Sequence, residues 1–210
     1  MRELLQTIRI DLAANSDARG KIAMVLFRLS SEPSFPRIVR GPIGIFYTVI
    51  VAWGFGIELP PGTRVGPGLR LNHSIGTVVN HDAVIGAHCD IKHGCTIGVR
   101  RSGEGSPVLE DGVVLGAATH VVGAIRLGAG SETGAGAVVL QDVPAGWIAV
   151  GNPARVIERR ALSADVTLST PLSPPDESLL RADLATPSRH SQTATPVNDP
   201  GPNSASSDTA

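Results

Sequence analysis

A chain of 210 residues has room for one domain of ordinary size with its own core plus one extension, which excludes two full domains. Its 18 Lys and Arg against 19 Asp and Glu leave a net charge of −1, so no cationic surplus marks a nucleic-acid or anionic-membrane binder. Aromatic residues make up 3% against 42% hydrophobic residues, with 24 Gly and 16 Pro, which predicts an aliphatic core and a backbone that turns often.

These residue types are unevenly spread. Six of the seven aromatics (Phe27, Phe35, Phe46, Tyr47, Trp53, Phe55) precede residue 56, whereas 19 of the 24 glycines fall between Gly56 and residue 160. The chain divides on this basis into a helical region over 1–56, a glycine-rich domain over 57–160 and a tail over 161–210.

In the first region Leu4, Leu5, Ile8 and Leu12 fall at helical spacing, and Ile22, Val25, Leu26 and Leu29 repeat the pattern after a break at Asn15 to Gly20. Two amphipathic helices are predicted. Pro33 and Pro36 interrupt, and the apolar stretch from Gly41 to Ile57 is too short and glycine-broken for a membrane span, so it is predicted as a third helix packed on the main domain. The alternative for this stretch, given Arg37, Arg40 and the aromatic cluster, is an interfacial helix resting peripherally on a membrane. Two cysteines, Cys89 and Cys95, lack metal-type spacing, and Met1 to Ile10 lacks a secretory pattern. Both point to a reduced cytoplasmic setting, at the inner face of the membrane if the helix is interfacial.

In the middle zone aliphatic residues recur every six positions: Leu59, Val65, Leu71, then Val79, Ile85, Ile91, Ile97, then Leu109, Leu115, Val121, Leu127, and finally Val139. Gly66, Gly86, Gly98, Gly116, Gly128 and Gly134 follow the repeat's key position, and small residues, both cysteines among them, stand four after it. This is the hexapeptide pattern of a parallel β-helix, in which each hexad makes one short strand and a turn and three hexads close a triangular coil. The aliphatic residue fills the prism, and the small residues sit where the chain turns. The cysteines are read as buried filler.

Two places break the beat. The step from Leu71 to Val79 is eight, a bulge around Asn72-His73-Ser74-Ile75-Gly76. The step from Ile97 to Leu109 is twelve, and Val99 to Pro107 reads as an extruded loop that either replaces a hexad or adds to the coil. In a regular scaffold such breaks are where function tends to sit. In the tail, from about Leu162, seven prolines, no aromatic residue and a charge of −4 predict disorder, with Ser173 to Ala185 as a candidate short helix.

The runs GIELPPGTRVGPGLRLNHSIGTVV, IGAHCDIKHGCTIG and LGAGSETGAGAVVLQDVPAGWIAVGNPARVI resemble the serine acetyltransferase branch of the hexapeptide acyltransferases, and look closer still to the colanic-acid-type exopolysaccharide acetyltransferases. The resemblance covers residues 1–160, since Asp11-Leu12 and Ala14-Asn15-Ser16 also look like the latter group. It implies a mainly β fold, a left-handed parallel β-helix, assembled as a homotrimer with acetyl-CoA bound between neighbouring prisms. His73 matches the family's catalytic histidine, and an imidazole can take a proton from an acceptor hydroxyl and return it to a departing thiolate. Glu58 falls where the family keeps an acidic partner that orients the ring. Gly98, Ala117 and Ala135 stand at small-residue positions suited to donor binding, and Asn152, Pro153 and Arg155 belong to a run similar to the family's capping turn over the pantetheine arm.

Around the acceptor the sequence departs from the serine enzymes, where an Asp precedes the histidine and an Arg-His pair stands in the later loop. Here those positions read Asn72 and Gly105-Ser106, with Arg100 and Arg101 nearby. Losing a carboxylate and a cation removes partners of a zwitterionic amino acid. The expectation is therefore O-acetyl transfer to a hydroxyl of an exopolysaccharide sugar or its precursor, with serine as the alternative acceptor. More distant alternatives are a trimeric zinc carbonic anhydrase, from His88 and His93 five apart, and a non-catalytic scaffold.

Overall fold

The computed structural model describes residues 1–159, so the expectations for the tail, its disorder and the helix at Ser173 to Ala185, lie outside the described residues. Helix α1 spans Arg2–Ala14 and α2 spans Ala18–Ser31, where the apolar spacing placed them. Asp17 caps α2, its carboxylate accepting from the Gly20 N–H at 3.2 Å. The third helix, α3, spans Arg37–Tyr47 and runs on as π-helical turns over Thr48–Gly54. It starts four residues earlier than the predicted Gly41, because Pro36 is its N-cap residue and does not interrupt it, and because Pro42 is accommodated inside.

The repeat folds as a solenoid of parallel strands on three faces. Face 1 stacks β1 (Ile57–Glu58), β4 (Thr77–Val79), β7 (Thr96–Gly98), β10 (His120–Val122) and β13 (Val138–Val139). Face 2 stacks β2 (Arg64–Val65), β5 (Val84–Ile85), β8 (Val108–Leu109) and β11 (Arg126–Leu127). Face 3 stacks β3 (Arg70–Asn72), β6 (Asp90–Lys92), β9 (Val114–Leu115), β12 (Glu132–Thr133) and β14 (Ile148–Val150), and ends on the antiparallel β15 (Arg155–Ile157). The register puts the hexad's aliphatic residues in ladders: Val79, Ile97, Val121 and Val139 on face 1, and Val65, Ile85, Leu109 and Leu127 on face 2. On face 3 the ladder begins Leu71, Ile91, Leu115 and reaches Thr133. Thr133 keeps its hydroxyl satisfied inside the prism, accepting from the Gly116 N–H at 2.9 Å and pairing with the Thr119 hydroxyl at 2.9 Å.

Both breaks in period resolve as additions at corners. The segment from His73 to Gly76 widens the corner between β3 on face 3 and β4 on face 1. The loop of residues 99–107 joins β7 on face 1 to β8 on face 2, consecutive faces, so it adds to its coil and replaces no hexad. Both cysteines are buried as filler, and burial pushes their thiols up, Cys89 to about 11.

The helices fasten onto the first coil through buried polar bonds. Asp11, fully buried, accepts from the Gly68 N–H at 2.7 Å and from Arg28 Nε at 2.8 Å, while Arg28 donates to the carbonyls of Val65 and Gly66, both at 2.6 Å. The Asn15 amide donates to the Leu69 carbonyl at 2.8 Å and accepts from the Leu71 N–H at 2.9 Å, acting as one rung of strand along the open edge of β3. Tyr47 donates to the Leu59 carbonyl at 2.5 Å.

Candidate functional site

His73 sits on the widened corner between faces 3 and 1 with its side chain exposed and a left-handed backbone, φ 49°. That conformation is uncommon for a residue with a Cβ, but His88 shares it at the corner between faces 2 and 3 and Ala118 shares it two coils on along the His73 corner, so the backbone alone does not single His73 out. Its surroundings do. His73 lines a cavity of about 350 Å³ with Ile57, Ser74 and Ile75 from the solenoid, with Phe55 at the end of the π-helical turns, and with Asp17, Ala18 and Arg19 from the start of α2. The Ser74 carbonyl accepts from the Thr77 N–H at 3.2 Å and the His73 carbonyl from the Ile75 N–H at 2.7 Å, which holds the bulge in a tight double turn. The cavity lining thus includes a histidine, an aspartate and an arginine. Neither Asp17 nor Arg19 was visible as a site residue in the sequence, because the break at Asn15 to Gly20 reads simply as a helix boundary. The cap at Asp17 was the available signal.

Glu58 lies on β1 with its side chain exposed, and no hydrogen bond joins it to His73. Asn72 turns toward a different partner: its Nδ2 donates to Asp90 Oδ1 at 2.8 Å, and the buried Asp90 also pairs with Arg70. Arg70 and Asp90 are register partners twenty residues apart on face 3, a contact that only the coil stacking reveals.

The other predicted residues separate onto two corners. Ala117 and Ala135 lie on the His73 corner: the Ala117 carbonyl accepts from the Gly136 N–H at 2.8 Å, and the His93 carbonyl accepts from the Ala118 N–H at 2.8 Å. Asn152 and Pro153 continue that corner as the turn between β14 and β15, tied to face 1 where Ala154 N–H donates to the Val138 carbonyl at 2.8 Å. Arg155 opens β15 beside Val150. Gly98, Arg100, Arg101 and Ser106 stand at the far end of face 1, where the Ser106 hydroxyl donates to Asn80 Oδ1 at 3.0 Å and Arg100 to the Leu140 carbonyl at 3.4 Å. Within one chain the width of face 1 separates them from His73. Gly98 differs from the other repeat glycines: a Cβ there would meet only Thr96 Cγ2 at 3.7 Å, whereas one at Gly128 would strike the Ala145 backbone at 2.4 Å. His88 and His93 flank β6 on different corners, so one chain does not bring them together.

No family model matches the chain. The serine acetyltransferase of Synechococcus elongatus is 41% identical over 112 residues, which covers 52% of this chain and 46% of that protein. This chain therefore spans about half the length of that curated relative. Among solved structures, soybean serine acetyltransferase is 33% identical as the apoenzyme, with a TM-score of 0.66 over 75% of this chain and 70% of that one, and it is also solved complexed with serine. The serine acetyltransferase from Brucella abortus in complex with coenzyme A is 29% identical, with a TM-score of 0.66 over 75% of this chain and 68% of that one. These relatives overturn the exopolysaccharide acceptor expected from the sequence. That expectation rested on Asn72 and Ser106 replacing a carboxylate and a cation; Asp17 and Arg19 line the cavity with His73. With one in three residues identical over most of both chains and the same solenoid beneath them, the chain belongs to the serine acetyltransferase family of hexapeptide-repeat proteins.

Proposed function

We propose that this chain transfers the acetyl group of acetyl-CoA to the hydroxyl of serine, releasing O-acetylserine and CoA. The observation that carries this reading is the cavity that His73 lines together with Asp17 and Arg19. A carboxylate and a guanidinium together suit the ammonium and carboxylate of an amino acid. His73 takes the hydroxyl proton as the oxygen attacks the thioester carbonyl, then gives that proton to the sulfur as the C–S bond breaks. Asp17 holds the ammonium end and Arg19 the carboxylate, which fixes the attacking oxygen relative to the imidazole.

The donor side is read from the two corners. Gly98 leaves open space above face 1, while Ala117, Ala135 and the turn with Asn152 and Pro153 form a column without bulk on the His73 corner, followed by Arg155 on β15. Because Gly98, Arg100, Arg101 and Ser106 lie a face-width from His73, they meet an imidazole only across a subunit boundary, and a homotrimer of side-by-side prisms supplies that boundary. Glu58, one coil beneath, is the residue proposed to orient the ring once donor and acceptor are bound.

The test is CoA release with acetyl-CoA and L-serine, read with a thiol reagent. His73→Ala is expected to lose about a hundredfold or more in kcat, and Asp17→Asn to raise the KM for serine about tenfold with a smaller change in kcat. Turnover unchanged in His73→Ala, or no turnover of serine by the unaltered protein, overturns the proposal.

A further inference from the structure

The third helix presents two unlike faces. Tyr47 and Val51, four apart, are buried against the rest of the protein, and Tyr47 is bonded to the first coil. On the opposite side Ile38, Ile45, Val49 and Trp53 follow at spacings of seven, four and four and are 83%, 69%, 44% and 79% exposed. Val39 and Phe46 are exposed beside them. From Ile38 to Trp53 the stripe is about 23 Å long. Scattered exposed apolar residues are ordinary on a protein surface, but a continuous stripe ending in a tryptophan is a contact surface.

Charge selects the partner. Between Pro33 and Ile57 there is no Asp or Glu, and the two ionised side chains are Arg37, exposed, and Arg40, partly exposed, both at the helix start. An apolar stripe with Phe and Trp, on a segment whose own ionised side chains are both cations, is the composition of a helix that lies in the plane of a bilayer and meets anionic headgroups. No helix of the described residues is long and apolar enough to cross a membrane, so the mode is in-plane. We propose that α3 and its continuation dock the protein on an anionic phospholipid surface. If the chain assembles as the homotrimer proposed above, cyclic symmetry puts three such helices at one level along the axis and multiplies a weak single contact.

The test is co-sedimentation of the full chain with phosphatidylcholine vesicles and with vesicles also containing phosphatidylglycerol. The unaltered protein is expected to sediment with the anionic vesicles and to be released by salt. Ile45→Glu with Trp53→Glu is expected to lower vesicle affinity tenfold or more, with circular dichroism and CoA release in solution unchanged. In a Trp147→Phe background, the remaining Trp53 emission shifts to shorter wavelength on adding vesicles. If the glutamate pair does not fold, Trp53→Ser carries the same comparison. No sedimentation of the unaltered protein overturns the proposal, as does sedimentation that the substitutions leave unchanged. A fall in mass by light scattering in the glutamate pair, with no vesicle binding by the unaltered protein, assigns the stripe to a contact between copies and equally overturns it.

Discussion

The solenoid and the helical cap bury apolar surface by different rules. In the solenoid each coil meets only its neighbours, and ladders such as Ile85, Leu109 and Leu127 repeat one packing solution in register. The cap meets the solenoid at its first coil, where Asp11, Asn15 and Arg28 bond backbone atoms more than thirty residues away and Tyr47 bonds the Leu59 carbonyl. The difference teaches where stability is distributed and where it is concentrated: redundancy in the prism, and a few buried polar atoms without substitutes at the cap.

The largest expected effect tests the concentrated side. Asp11→Ala leaves the guanidinium of Arg28 and the Gly68 N–H without their partner, and should cost about 3–5 kcal/mol in urea unfolding. Hydrogen exchange should show the loss confined to α1, α2 and the first coil; uniform loss through face 3 would mean that cap and prism unfold as one unit. Leu115→Ala, in the middle of a ladder, should cost about 2–5 kcal/mol and spread to the coils on either side. A cost below that range would show that the prism collapses around the vacancy. The smallest effect is on the surface. The Glu110 carboxylate is held below the usual range by its hydrogen bonds from Arg126 and the Ala129 N–H. Its contribution is present above the unfolded value of about 4.5 and is lost as pH falls through the depressed folded value. Glu110→Gln should therefore lower the melting temperature slightly at neutral pH and leave it unchanged at strongly acidic pH, and equal shifts at both would assign the effect to packing.

The same contrast explains what the sequence made legible. A six-residue period is local and repeated, so the ladders, the corner bulge at His73 and the extruded loop could all be read from spacing alone. The polar cap could not, because Asp11 and Asn15 look like ordinary helix polar residues until the coil beneath them is placed. The acceptor side failed for the same reason. Asn72 and Ser106 stand next to matched motifs, yet Asn72 is engaged by Asp90, and the charged residues that line the cavity with His73 belong to the start of α2. The twelve-residue step was correctly placed as a loop, but only strand order decides that it inserts between consecutive faces.

The antiparallel strand β15 has a consequence for how copies of this molecule can meet. A parallel solenoid is open to unlimited end-to-end growth, since its last coil offers the template for another. Here face 3 begins against the side-chain amide of Asn15 and finishes against a strand running the wrong way to be continued. Filament formation through that face is closed at both ends by the chain itself, which leaves the flanks of the prism as the route to a finite assembly.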